Sequence, residues 1–129
     1  MNVFVDTSAF YAILSRMDAN HANATIQWRT FLTDQTYRLF TSNYIVVETC
    51  ALVKNRLGLA AVTDFTQALL PVTTVLWVDE PAHFAALETM LATGTHGPSL
   101  VDASSFAIMD AHGIHRAFAY DRHFSARGF

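Results

Sequence analysis

Cysteine is almost missing from this chain: Cys50 is the only one in 129 residues. A single thiol excludes an intramolecular disulfide and any cysteine-built zinc site, and it fits a reducing compartment. Lysine is as scarce, with Lys54 alone, and the Gly-rich loops that cradle phosphates are absent. The six histidines contain no His-x-x-x-His pair; His112 and His115 stand three apart but straddle Gly113, a helix stop. No uninterrupted apolar run reaches the roughly 18–20 residues of a membrane span. Residues 1–6 carry no basic segment and meet an acid too early for a secretory signal. A soluble, cytoplasmic protein with no membrane partner is therefore expected. Repeats, linkers and low-complexity stretches are also lacking, so residues 1–129 read as a single domain able to bury its own core.

What is present is apolar. Hydrophobic residues make up 52% of the chain and charged ones 15%, the balance of a globular fold. The formal net charge is −3, which gives a nucleic-acid partner no support at face value. Four of the eleven acids have a special setting, described below; without them seven acids face eight Lys and Arg. The remaining surface is then close to neutral, and a nucleic-acid substrate stays open.

Short apolar strands alternate with helices. Residues 2–5 read as a buried strand, 9–16 and 22–34 as helices, and 38–41 as a second strand. Ser42 or Asn43 can cap a helix over 44–57 that stops at Gly58, with Lys54 and Arg56 in its last turn. Another helix over 59–70 ends at Pro71. Residues 72–78, rich in β-branched side chains, form the clearest strand. Glu80-Pro81 opens a helix to about residue 93, and 94–98 is a loop. A helix over 100–112 and a last strand over 116–120 complete the chain. Such alternation implies right-handed crossovers and a mostly parallel sheet with both faces covered.

Four carboxylates sit in apolar surroundings. Asp6 ends Val3-Phe4-Val5, Asp121 ends Ala117-Phe118-Ala119-Tyr120, Asp102 opens an apolar helix, and Glu48 shares a helix face with Tyr44, Ile45 and Leu52. An ionised acid there is costly unless a cation or hydrogen bonds satisfy it. Each has a plain structural reading as well. Asp6 fits a helix cap; Asp102 completes the Ser-x-x-Asp spacing of a capping box from Ser99; Asp121 fits a polar strand end; Glu48 fits an arginine partner. Those readings explain the acids singly and not as a set. Asp6 and Asp121 both follow strands, and ligands of open parallel sheets bind at the carboxyl ends of strands near a switch in strand order. Converging acids supply the hard oxygen ligands of Mg²⁺ or Mn²⁺. Cys50 reads as a small core residue, and Lys54, Arg56, Arg116 and Arg122 as solvated surface.

Val5-Asp6-Thr7-Ser8, Thr41-Ser42-Asn43-Tyr44-Ile45-Val46-Val47-Glu48 and Ser99-Leu100-Val101-Asp102-Ala103-Ser104-Ser105-Phe106 together resemble the motifs of PIN-domain ribonucleases. Ala117-Phe118-Ala119-Tyr120-Asp121-Arg122-His123-Phe124, with the final Gly128-Phe129, is similar to that family's carboxyl-terminal motif. The likeness spans residues 3–129 and is greatest to the VapC-like toxins of toxin–antitoxin pairs. It implies a three-layer α/β/α sandwich with a mostly parallel sheet of four or five short strands. It also implies a Mg²⁺- or Mn²⁺-dependent endoribonuclease. Asp6, Glu48, Asp102 and Asp121 become the metal-binding and catalytic quartet, with a hydroxyl from Thr7 or Ser8 beside them. Many relatives continue past the Gly-Phe pair into an edge strand, which leaves the fifth strand open here. Two rivals remain: a PIN-fold binding module without catalysis, and a receiver-like or haloacid-dehalogenase-like phosphoryl-transfer domain. The first lacks support while the quartet is intact. The second lacks its usual lysine, because Lys54 lies two turns beyond Glu48. A cognate antitoxin and a homodimer are the expected protein partners, with Phe10, Tyr11, Leu14, Trp28, Phe31 and Leu32 as the expected contact surface.

Overall fold

Val3, Phe4 and Val5 are all buried, so both faces of the first strand, β1 (Asn2–Val5), are covered. The computed structural model describes residues 1–129. After β1 come α1 (Thr7–Leu14), α2 (His21–Thr33), β2 (Arg38–Ser42), α3 (Asn43–Leu57) and α4 (Leu59–Asp64). Then follow β3 (Thr74–Leu76), α5 (Glu80–Thr93), α6 (Leu100–Ala111), β4 (Arg116–Phe118) and α7 (Arg122–Ala126). The strands form one parallel sheet in the order β3-β2-β1-β4. Val3 stands between Leu39 and Arg116, and Phe4 between Phe40 and Ala117.

This order decides where a site can form. The chain moves outward from β1 to β2 to β3, then returns past β1 to lay β4 on its other side. Right-handed crossovers in opposite directions put their helices on opposite faces, which gives three layers. Between β1 and β4 the connections diverge and leave a crevice at the carboxyl ends. Asp6 and Asp121 follow those two strands.

The core is one apolar cluster centred on Phe4, Phe10, Phe65, Ile45 and Met109. Phe10 meets Trp28 and Phe65 edge-to-face at 6.2 and 4.9 Å. Phe10 and Trp28 are thus core residues, only 0% and 6% exposed. They are not the contact surface expected from sequence, because α1 and α2 turn them toward each other and the sheet. Of that expected set only Leu32 is largely exposed. Other bulky exposed residues include Met17 and Ile26 near and on α2, Val47 on α3, Trp77 after β3, and Phe84 and Leu91 on α5.

The first helix starts and stops two residues earlier than expected, and three elements depart further, each for a physical reason. The helix over 59–70 remains α-helical only to Asp64, widens to a π turn over Phe65–Leu69, and tightens to a 3₁₀ turn over Leu70–Val72. Pro71 has no N–H to give, and its ring crowds the carbonyl four residues back. The strand expected over 72–78 shrinks to three residues. The Thr73 N–H bonds to Leu70 O and the Val78 N–H to Asn43 Oδ1, so neither end joins the ladder. The last strand stops at Phe118, after which the Tyr120 N–H bonds to Ser8 Oγ. The sheet has four strands, and β4 is followed by α7, whose Phe124 packs on Phe106 at 4.9 Å.

Candidate active site

Asp6 leaves β1 in an extended conformation and caps α1. Its Oδ2 accepts from the Ser8 backbone N–H at 3.1 Å and from the Ser8 hydroxyl at 2.6 Å. Ser8 Oγ in turn accepts from the Tyr120 N–H at 2.9 Å. One hydroxyl therefore fastens the end of β1 to the exit of β4. The other oxygen of Asp6, Oδ1, is buried and faces no donor from the protein. Capping and site formation coexist, since the cap uses one oxygen and leaves the second free. Burial drives the Asp6 carboxyl up to about 6, against the two Ser8 bonds that favour its charge; the Asp102 and Glu48 charges push the same way as burial.

Asp102 is 7% exposed on the first turn of α6, where its N–H donates to Ser99 Oγ at 3.1 Å. The capping box is only half made, because the Asp102 carboxylate returns no bond and turns to the cleft. Burial raises its pKa first, then the Asp121 charge beside it. Asp121 caps α7 through Oδ1, which accepts from the His123 N–H at 2.8 Å. Ligand atoms of Asp102, Asp121 and His123 all lie within 4.8 Å of one another. Glu48 lies half-buried on α3, behind a cap in which Ser42 Oγ accepts from the Ile45 N–H.

All four acids line one cleft of about 650 Å³, together with Thr7, Ser8, His123 and the loop after α5. That loop folds tightly: a Cβ on Gly97 would lie 2.4 Å from Thr93 Oγ1, so only glycine fits. No Lys or Arg lines the cleft. The protein's one ion pair is far from it in kind, a surface contact of Arg127 with Asp110. Lys54, Arg116 and Arg122 are exposed, and Arg56 lies over the Tyr11 ring at 5.6 Å. Glu48 thus has no arginine partner. A lone buried carboxylate oxygen among unpaired acids suits a hard divalent cation, so the residues present fit such an ion.

Residues 3–129 match the PIN domain family. The chain belongs to that family. The 23S rRNA-specific endonuclease VapC20 of Mycobacterium tuberculosis is 36% identical over 128 residues, covering 98% of this PIN domain and 95% of the relative. The crystal structure of M. tuberculosis VapC20, described as a sarcin–ricin loop cleaving toxin, matches with a TM-score of 0.87 at 34% identity. It covers 98% of this chain and 95% of that one. FitAB bound to an IR36 DNA fragment matches at a TM-score of 0.68 and 19% identity, over 96% and 89% of the two chains, and bears on the fold alone.

Three contributions escaped the sequence. His123 enters the cleft because the Asp121 cap bonds to its N–H and holds it in the first turn of α7. The Asp-x-His spacing is its only sequence signal. Thr49 Oγ1 donates to Thr7 Oγ1 at 3.0 Å, and Thr41 Oγ1 to Val5 O at 2.9 Å, both buried. The first hydroxyl ties α3 to the start of α1, and the second ties β2 to β1. Nothing in the sequence distinguishes them from ordinary β-branched core positions. Cys50 is partly buried and packs against the core, and burial pushes its thiol up, away from the thiolate form.

Proposed function

We propose that this PIN domain is a divalent-metal-dependent endoribonuclease acting in the cytoplasm as the toxin of a toxin–antitoxin pair. The observation that carries the reading is the buried, donorless Asp6 Oδ1 in a cleft with three further acids and no cation. Family membership and the likeness to an rRNA endonuclease support the substrate class.

Asp6 and Asp102, the most buried acids, would hold Mg²⁺ or Mn²⁺, with Glu48 and Asp121 completing the charge of the site. A bound divalent ion supplies Lewis-acid activation of water and neutralises charge on the attacking and leaving oxygens. The chain's own residues do the positioning. Ser8 fixes the Asp6 carboxylate by two hydrogen bonds. The Asp121 cap orients His123 at the same rim, and the His123 ring offers a polar contact to a phosphate. The first turn of α6 brings its N–H groups and positive dipole end to the cleft beside Asp102. Residues 1–129 would act as a single nuclease domain.

The partners follow from the surface. A cognate antitoxin would cover the cleft and bring a basic side chain to its acids. A homodimer would bury the exposed apolar residues Trp77 and Leu91.

Asp6→Asn and Asp102→Asn test the reading. Each is expected to lower Mn²⁺-supported cleavage of 23S rRNA fragments, the sarcin–ricin loop included, by at least about a hundredfold, a loss of about 2.7 kcal/mol, while circular dichroism stays unchanged. Near-normal cleavage by either variant would reject that acid as a ligand.

A further inference from the structure

Beside the acid cleft lies a second hollow of different chemistry. It is about 420 Å³, within the range of small-ligand sites, and is lined by Tyr44, Val47, Glu48, His83, Leu100 and Val101. Glu48 lines both hollows, which adjoin across its side chain. The reason is helical spacing. On α3, Tyr44 and Glu48 are four apart and share a face; on α6, Leu100 and Val101 directly precede Asp102. The same two helix starts thus present acids to one side and apolar walls to the other.

His83 of α5 closes the far end. Its ring meets Tyr44 edge-to-face at 5.8 Å, and the Tyr44 hydroxyl is hydrogen-bonded to His83 Nδ1. Both rings are partly buried and hold each other in place, whereas Val47 at the rim is 70% exposed. No Lys or Arg lines the hollow, so it offers a phosphate no fixed positive charge. It suits a flat, uncharged group with polar edges: aliphatic walls for the face, and the Tyr44 hydroxyl, the His83 ring nitrogens and the Glu48 carboxylate for the edge.

We propose that this hollow is a nucleobase subsite, which takes the base of a nucleotide flanking the scissile phosphate while the acids hold that phosphate's neighbourhood. The inference rests on the endoribonuclease reading and deepens it. A base can enter only when unstacked and unpaired, so the substrate is a single-stranded or loop segment of RNA. Glu48, shared by both hollows, accepts from an exocyclic amino group, which favours adenine, cytosine or guanine over uracil at that position. Tyr44 and His83 determine specificity and take no part in bond making.

The test pairs altered protein with altered RNA. A short loop RNA is made with an abasic site at each nucleotide around the cleavage position in turn. Its dissociation constant is measured on a cleavage-silenced Asp102→Asn background, and its kcat/KM on the wild-type background. One abasic position should weaken binding by intact protein roughly tenfold to a hundredfold, the effect of losing one base buried against apolar walls. That penalty should vanish in Tyr44→Ala and in Val47→Glu, whose rim position leaves folding untouched. Equal penalties in variants and parent overturn the subsite. So does insensitivity of every position, or a Val47→Glu effect seen only on self-association, which would assign the hollow to a second copy. Coupled binding without any cleavage would keep the subsite and reject the nuclease reading; cleavage without coupling would do the reverse.

Discussion

Asp6 combines two environments on one side chain. Oδ2 has two hydrogen bonds from Ser8, and Oδ1 has none. Burial outweighs those two bonds, so the carboxyl is easier to protonate in the fold, at about 6, than in the unfolded chain. A group raised in this way binds more protons folded than unfolded between about pH 4 and 6. Stability of the metal-free protein is expected to fall across that window by roughly 2–3 kcal/mol and then level off. Urea unfolding in EDTA at a series of pH values measures this. Asp6→Asn should flatten the slope and unfold later than wild type at pH 7; a wild type most stable above pH 6 would contradict it. Ser8→Ala removes a bond to Asp6 and leaves the Tyr120 N–H without its acceptor. It should cost about 1–3 kcal/mol and weaken Mn²⁺ binding, measured by calorimetry. The gathering of the four acids in one cleft was legible only from the set, since each acid alone has a harmless explanation such as a helix cap. Ser8 stood beside Asp6 in the first motif, but its bond to Tyr120 spans 112 positions and has no local mark. His123 was missed for a similar reason: its place depends on how α7 starts.

At the scale of elements, helix boundaries were easier to read than strand boundaries. Ser42, Asp79, Ser99 and Gly58 all cap helices where their residue types say they should. Strand ends depend on partners. β3 stops at Leu76 because its partner Ser42 leaves the sheet to cap α3, and no run of Val and Thr encodes that. The π turn before Pro71 is likewise a response to packing, since it brings both Phe65 and Leu69 into the core. Gly58 joins α3 to α4 at φ +94 and ψ 175, a region essentially closed to other residues. Gly58→Ala is expected to destabilise by about 1–3 kcal/mol through backbone strain, although a Cβ there meets open space. Thermal unfolding decides this, and an unchanged midpoint would show that the turn relaxes.

The whole molecule gathers on one sheet edge acids that are far apart in sequence. The order β3-β2-β1-β4 is the device, because it sets the ends of β1 and β4 side by side at the switch point. Parallel strands and both-face burial were legible from alternation of strands and helices; the strand count and the location of exposed apolar surface were not. With Phe10 and Trp28 in the core, the proposed homodimer would rest on other residues. Sedimentation should give a dimer at micromolar concentration, converted to monomer by Leu91→Glu; an unaltered profile would remove α5 from the interface. The most direct measurement is cleavage of labelled RNA by protein stripped with EDTA, as Mn²⁺ or Mg²⁺ is titrated back. Cleavage should be absent without the ion, rise to saturation with it, and stay absent in Asp102→Asn. Cleavage at the same rate in EDTA would contradict the metal-dependent site on which the functional reading stands.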